Sequence, residues 1–256
     1  MADQSPTRTA LVTGGARGIG GAVCRRLAAQ GRSVAIADLL VSQGEALAAE
    51  LRADYGIRAV AYQCDVTDSD RVREVVAAVE AELGPVDILV NAAGFDRFVR
   101  FVDTDEEFWN MIIDINFKGT LRTTHAVLPG MMERGWGRIV NLSSDAARVG
   151  SSLESVYAGA KAGVIAFTKT IARESVKKGV TANIVCPGPT DTDLIREMGE
   201  QGDLPAKIVG SLSKAVPIGR MAQPDEIAYG VTVFTADDAN YITGQTLSVS
   251  AGLTMA

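Results

Sequence analysis

Short apolar runs and longer amphipathic stretches alternate along all 256 residues. The apolar runs are Thr9–Thr13, Ser33–Asp38, Ala59–Gln63, Val86–Val90, Arg138–Leu142, Val180–Val185 and Thr246–Val249. Several are almost continuously hydrophobic, which predicts parallel strands covered on both faces. Between them, apolar residues recur at helical spacing over Gly18–Gln30, Val41–Tyr55, Ser69–Leu83, Phe108–Arg134, Val156–Lys178 and Pro224–Thr235. Strand–helix alternation with right-handed crossovers predicts an α/β fold: a doubly wound Rossmann sheet, seven-stranded and mostly parallel, with helices on both faces. No linker, low-complexity tract or repeat divides the chain, so one domain over residues 1–256 is expected. One stretch, Pro187–Pro217, breaks the rhythm with glycine, proline and charge. A long excursion inside a compact domain is expected to be a mobile flap over a functional cleft.

Composition narrows the partners. Hydrophobic residues make up 47%, ample for a sizeable core. The 25 basic and 31 acidic residues give a net charge of −6 and form no basic cluster. Nucleic acid and anionic membrane are therefore set aside in favour of a small-molecule substrate. Cys24, Cys64 and Cys186 are odd in number and far apart, as expected of thiols in a reducing compartment. Met1–Arg8 has no signal-peptide pattern, and no apolar run reaches the ~18–20 residues of a membrane span. A cytoplasmic protein is expected.

The first strand runs into T-G-G-A-R-G-I-G, Thr13–Gly20, which opens the first helix. Gly14 permits a sharp turn, while Gly18 and Gly20, flanking Ile19, permit close approach of backbone to a pyrophosphate and to the sheet. The helix N-terminus then offers free N–H groups and partial positive charge. Asp38 ends the second strand eighteen residues beyond Gly20, with Leu39 next, where a carboxylate would accept hydrogen bonds from adenosine ribose. Arg17 is a counter-signal, since it could meet a 2′-phosphate. A doubly charged phosphate ~4 Å from a carboxylate is repelled by about 2 kcal/mol even at water's dielectric, so NAD is the expected coenzyme.

Tyr157 and Lys161 stand four apart in Y-A-G-A-K, one helical turn on a shared face. A phenol is a poor base at neutral pH unless a cation stabilises its anion. Lys161 and an oxidised nicotinamide can do so, and a fall of roughly 2–3 units corresponds to about 3–4 kcal/mol. Ser144, after the G-R-I-V-N-L strand, could hold a substrate oxygen beside the phenol. No metal is called for: one histidine, His125, and three scattered cysteines show no ligand spacing. A Ser–His hydrolase lacks the G-x-S-x-G elbow. A methyltransferase would leave Ser144, Tyr157 and Lys161 without a purpose, and so would a nucleotide-sensing protein that kept only the fold.

With these motifs in order, the sequence resembles the short-chain dehydrogenase/reductase family along essentially its whole length. Asp65-Val66, Asn91-Ala92-Ala93-Gly94, Asn116 and Pro187-Gly188 with Thr192 fall in the same order. The resemblance implies that Asp65 and Val66 cradle adenine and that Asn91, Ala92 and Gly94 line the coenzyme cleft. It implies that Asn116 holds a water relaying protons to Lys161, which also binds the nicotinamide ribose. Pro187, Gly188, Thr190 and Thr192 would meet the nicotinamide end, although Thr190 stands where many members carry Ile or Val. A homotetramer is implied as well.

Within the family, the runs Ser144–Ser152 and Cys186–Thr192 and the C-terminal segment resemble 2-hydroxycyclohexanecarboxyl-CoA dehydrogenases. An alicyclic β-hydroxyacyl-CoA is therefore the expected substrate. The alternatives are a 3-oxoacyl thioester and a simple cyclic, steroid or sugar alcohol. Phe95, with Phe98, Phe101 and Val149, is expected to make the pocket apolar. Arg148, with Arg97 and Arg100, is expected at its mouth to meet CoA phosphates.

Overall fold

Among residues 7–255, which the computed structural model describes, apolar alternation sorts each strand between two cores. The reading of the leading segment therefore falls, for residues 1–6, outside the described residues. In β1 (Thr9–Thr13), Ala10 and Val12 face one side and Leu11 the other. The first core joins Val23 and Leu27 of α1 (Gly18–Ala29), Leu47 and Leu51 of α2 (Val41–Tyr55) and Ile227 and Phe234 near Pro224–Thr235. The second joins Val72, Val75 and Val79 of α3 (Ser69–Leu83) to Val127, Met131 and Ala172. Burying one such side chain contributes about 1.5–3 kcal/mol, so each face holds its helices firmly.

The remaining strands are β2 (Ser33–Asp38), β3 (Ala59–Gln63), β4 (Val86–Asn91), β5 (Gly137–Leu142), β6 (Val180–Pro187) and β7 (Thr246–Val249). They form one seven-stranded sheet in the order β3-β2-β1-β4-β5-β6-β7, paired in parallel throughout. Strand order reverses between β1 and β4, which opens a crevice at their carboxyl ends. Register sets what meets there. Thr13 pairs with Ala37 and with Asn91, so the glycine loop, Asp38 and the Asn91–Gly94 loop leave the sheet together. At the other end Arg138 is fully buried, over the Trp136 ring at 4.3 Å, donating to the Ala236 and Asp237 carbonyls and Asn240 Oδ1.

Three stretches differ from expectation. The single helix expected over Phe108–Arg134 is α4 (Glu106–Ile113), a π-helical turn (Asp114–Lys118) and α5 (Gly119–Arg134). Asp105 caps α4 by accepting from the Phe108 N–H at 2.8 Å, which starts the helix earlier. A four-residue helix, α6 (Ala146–Val149), precedes α7 (Ser155–Ser175). The expected flap holds two helices, α8 (Asp193–Gly199) and α9 (Asp203–Ala215), ahead of α10 (Pro224–Thr235). Pro205 lies in the first turn of α9, where the missing N–H costs no helical bond.

Candidate active site and coenzyme cleft

A cleft of about 710 Å³ lies at the carboxyl ends of the strands. Gly14, Arg17, Gly18, Ile19, Gly20, Asp38, Leu39, Asp65, Val66, Ala92, Gly94, Phe95 and Thr192 all line it. At Gly14 the backbone takes φ +62°, and a Cβ would lie 2.7 Å from the Ala93 backbone. At Gly18, φ +54°, it would face the Thr192 side chain at 3.5 Å. No side chain caps α1 and no acid occupies its first turn, leaving its N–H groups for an anion. These features fit the pyrophosphate of a dinucleotide.

Asp38 braces the loop it was expected only to follow. Its Oδ2 accepts from the Ala16 N–H at 2.9 Å and its Oδ1 from the Leu40 N–H at 3.0 Å. A carboxylate has about four acceptor sites, so two remain for ribose hydroxyls. Arg17 is not free to meet a phosphate: its guanidinium grips the Glu197 carboxylate, with one contact at 2.9 Å, and lies 4.0 Å from Asp193. Asp65 folds its own turn, accepting from the Thr67 N–H at 2.8 Å and Oγ1 at 2.7 Å. Thr192 Oγ1 accepts from the Ile195 N–H at 3.4 Å and so caps α8.

Several expected residues sit elsewhere. Asn91 is buried beneath the cleft floor, its amide donating to Asn141 Oδ1 at 2.8 Å and its carbonyl accepting from Thr123 Oγ1 at 2.6 Å. Asn141 continues this ladder to Thr168 Oγ1 at 2.8 Å. Asn116, fully buried in the π turn, accepts from the Phe95 N–H at 3.2 Å and donates to the Phe95 and Ile112 carbonyls. Its amide thus clasps the loop after β4 instead of standing free beside a water. Arg148 is turned away from the mouth, donating to Ser248 Oγ at 2.7 Å, while Ser248 donates to Asp145. Arg100 pairs with Asp103 at 2.6 Å, and Arg97 lies over the Phe95 ring at 5.3 Å. Phe101 and Val149 are exposed.

Pro187 and Gly188 form the strand-end turn. The Pro187 carbonyl accepts from the Asp145 N–H at 3.1 Å, and the Gly188 N–H donates to Val249 O at 3.1 Å. A Cβ at Gly188 would lie 2.7 Å from that of Ser250. Thr190 is buried, its hydroxyl donating to the Gly188 carbonyl at 2.9 Å.

Ser144, Tyr157 and Lys161 come together at the end of β5. Lys161, 3% exposed, donates from Nζ to the Leu142 carbonyl at 3.0 Å and sits 5.7 Å from the Tyr157 ring centroid. Ser143 Oγ fixes the helix to the strand by donating to the Lys161 carbonyl at 2.8 Å. Ser144 Oγ accepts from the Ala146 N–H at 3.1 Å. Burial pulls the Lys161 ammonium down to about 8. Burial pushes the Tyr157 phenol well above its ordinary value, helped by Asp96 and Glu154 and opposed by Ser144. Desolvation is the largest of these effects.

The sequence reading missed the two acids beside Tyr157. It also missed Leu40, Met111, Ile115 and Leu194, which add apolar lining from elements distant in sequence. Nothing in their local pattern distinguishes these four from ordinary amphipathic positions.

Comparison with known proteins agrees with this geometry. A family described as "Enoyl-(Acyl carrier protein) reductase" matches residues 14–254. The acetoacetyl-CoA reductase of Shinella zoogloeoides is 39% identical over 247 residues, spanning 96% of this chain and 98% of that protein. The 3-oxoacyl-[acyl-carrier-protein] reductase FabG of Escherichia coli (strain K12) is 39% identical over 249 residues, 97% of this chain and 98% of that one. Among solved structures, an actinorhodin polyketide ketoreductase variant with NADPH superposes with a TM-score of 0.90 at 35% identity, covering 96% of this chain and 97% of that chain. These relatives favour the 3-oxoacyl thioester alternative over the alicyclic hydroxyacyl-CoA expected from the runs Ser144–Ser152 and Cys186–Thr192 and the C-terminal segment.

Proposed function

This chain belongs to the short-chain dehydrogenase/reductase family and is an oxidoreductase using a nicotinamide coenzyme, and from that premise we propose that it reduces the keto group of a 3-oxoacyl thioester. The observation that carries this reading is the juxtaposition of Ser144, Tyr157 and Lys161 at the end of β5, where a phenol can give a proton to a keto oxygen held by the serine. Relatives named for acetoacetyl-CoA and 3-oxoacyl carrier-protein thioesters support the substrate class.

In this reading the coenzyme's pyrophosphate rests on the glycine loop and the start of α1, its adenosine ribose on Asp38, its adenine beside Asp65 and Val66. When bound, the nicotinamide supplies hydride chemistry at the keto carbon. Ser144 orients the keto oxygen by hydrogen bonding, and Tyr157 donates its proton to that oxygen. Lys161, tied to the Leu142 carbonyl, then stabilises the phenolate left behind. Phe95 and the apolar residues of α4 exclude water from the acyl chain. We read the coenzyme as NAD(H), because Asp38 would repel a 2′-phosphate and Arg17 is held by Glu197. NADPH in the ketoreductase structure makes this a point to measure.

The test is a panel of acetoacetyl-CoA, a cyclic β-ketoacyl-CoA and a plain cyclic ketone, each with NADH and NADPH. Acetoacetyl-CoA should exceed the plain ketone at least tenfold in kcat/KM, about 1.4 kcal/mol, and NADH should exceed NADPH ~30-fold, roughly 2 kcal/mol. Tyr157→Phe should lose ~10²–10⁴-fold in turnover while still binding NADH. A plain ketone that matches the thioester refutes the substrate class; a Tyr157→Phe enzyme above a tenth of wild-type rate refutes the proton donor.

A further inference from the structure

Ser144 lies between two residues that the sheet holds in place. On one side the Ser143 N–H donates to the Val185 carbonyl at 2.8 Å, and on the other the Asp145 N–H donates to the Pro187 carbonyl at 3.1 Å. Both acceptors belong to β6, so the backbone of the Ser144 turn is fixed there. The hydroxyl is set by a different contact. Its Oγ accepts from the N–H of Ala146, the first residue of α6, at 3.1 Å. A hydroxyl has one donor and two acceptor positions, so this bond leaves the O–H to donate elsewhere, as a keto oxygen requires.

Asp145 precedes α6 and is of the type that ordinarily caps a helix N-terminus, yet its side chain makes no capping bond. The carboxylate reaches instead to the edge strand β7, where Oδ1 accepts from Ser248 Oγ at 2.5 Å. The same hydroxyl accepts from Arg148 Nη1 at 2.7 Å. Ser248 sits opposite Cys186 in the β6–β7 register, next to the Pro187 whose carbonyl holds the Asp145 backbone. One β7 hydroxyl therefore bridges both ends of a four-residue helix, an acid before it and a base in its last turn. Asp145 is 5% exposed and its Oδ2 meets no partner, so among the described residues Ser248 supplies the one hydrogen bond this carboxylate accepts.

We propose that Ser248, with Asp145 and Arg148, forms a hydrogen-bonded bridge from β7 that keeps the Ser144 hydroxyl set as a donor to the substrate oxygen. The proposal rests on the reading of Ser144 as the group that orients the keto oxygen. Held by Ser248, Asp145 is kept off the amides at the start of α6, and the Ala146 N–H is left to Ser144. Released from Ser248, the buried carboxylate turns to those amides, the donors a capping aspartate ordinarily uses, and competes with Ser144 Oγ for them. The serine then loses the contact that sets its hydroxyl. Asp145, Arg148 and Ser248 do not line the coenzyme cleft, so coenzyme binding is untouched and the loss falls on turnover. All three are positioning residues that act through Ser144.

The test is a double-mutant cycle on the full chain, read on whichever of acetoacetyl-CoA or a plain cyclic ketone is reduced faster. Ser248→Ala should lower kcat about fivefold, the scale of one lost hydrogen bond, while the calorimetric Kd for NADH stays within about twofold of wild type. In a Ser144→Ala background, with no hydroxyl to orient, the same change should cost less than about twofold. Asp145→Ala should match Ser248→Ala. Asp145→Asn keeps an oxygen that accepts from Ser248 and should recover about half of the wild-type rate or more. Equal losses in the two backgrounds would show that Ser248 supports only the fold, and would overturn the bridge. So would a Ser248→Ala enzyme at wild-type kcat, or an asparagine protein no faster than the alanine one. Should Asp145→Ala not fold, the Ser248–Ser144 cycle decides alone. A Ser144→Ala protein that turns over like wild type would instead sink the reading of Ser144, an outcome visible before Ser248 is changed.

Discussion

A Cβ on residue 20 would sit 2.0 Å from the Gly14 carbonyl oxygen, well inside contact distance. Backbone, not a flexible side chain, stands in the way, so the loop itself has to move. Gly20→Ala should therefore cost about 1–3 kcal/mol of stability, and dinucleotide affinity should fall at least tenfold by calorimetry. An alanine protein that binds NADH like wild type would mean that the loop is not the pyrophosphate cradle. Glycine positions of this kind were legible in the sequence because strand, loop and helix follow one another within a dozen residues. Tyr157 and Lys161 were legible for the same reason, one helix turn fixing their relation. Asn91, Asn116 and Arg148 were not. Their partners Asn141, Phe95 and Ser248 come from other strands and loops, and local sequence does not say which polar side chain a buried amide or guanidinium will find.

Among the elements, every strand was legible: the inner strands are buried on both faces and read as continuous apolar runs, and the part-exposed edge strands β3 and β7 as short β-rich ones. The helices of the flap were not. Pro205 and the charges of Asp193, Arg196 and Glu197 read as loop, yet proline at the start of α9 and salt bridges along α8 are compatible with helix. The Arg17–Glu197 pair links the glycine loop to α8, and it consists of partly exposed side chains. Such a pair contributes about 0–1 kcal/mol to folding, so Glu197→Gln should leave the melting temperature nearly unchanged. Its effect should fall on the coenzyme. Freed from its carboxylate, Arg17 can offset 2′-phosphate repulsion, and the preference for NADH over NADPH should narrow at least threefold in kcat/KM. An unchanged preference would show that the Asp38 carboxylate alone sets discrimination.

For the whole molecule, the buried ionisable groups of the site make stability depend on pH in two opposed windows. Asp96 is raised from 3.8 to about 8, so between those values the folded chain binds more protons than the unfolded chain. Its contribution is present at acid pH and is lost as pH rises through about 8. Lys161 is lowered from 10.5 to about 8, so its contribution is present in alkali and is lost as pH falls through about 8. Asp96→Asn should therefore raise the melting temperature more at pH 8 than at pH 5, and Lys161→Met more at pH 7 than at pH 10. Thermal scans across pH check both, and a pH-independent gain from Asp96→Asn would mean that this carboxyl ionises normally. No helix among the described residues is long and apolar enough to cross a membrane. Tyr229 and Val233 on α10 and Leu247 on β7 are exposed. Light scattering would report whether these faces meet other copies of the chain.

The π turn at Asp114–Lys118 has a consequence of an evolutionary kind. A wide turn of this sort is one residue longer than the α-helix it interrupts, and it can be read as an insertion that was never removed. Deleting one residue there would let α4 and α5 join in a single, better hydrogen-bonded rod. It would also remove the widened turn from which the Asn116 amide reaches Phe95. The loop bearing Gly94, Phe95 and Asp96 would lose its tether, and the reaction chamber would lose a wall. Selection for rigidity alone would favour the shorter chain, so the surplus residue persists as a mark of work that a perfect helix could not do.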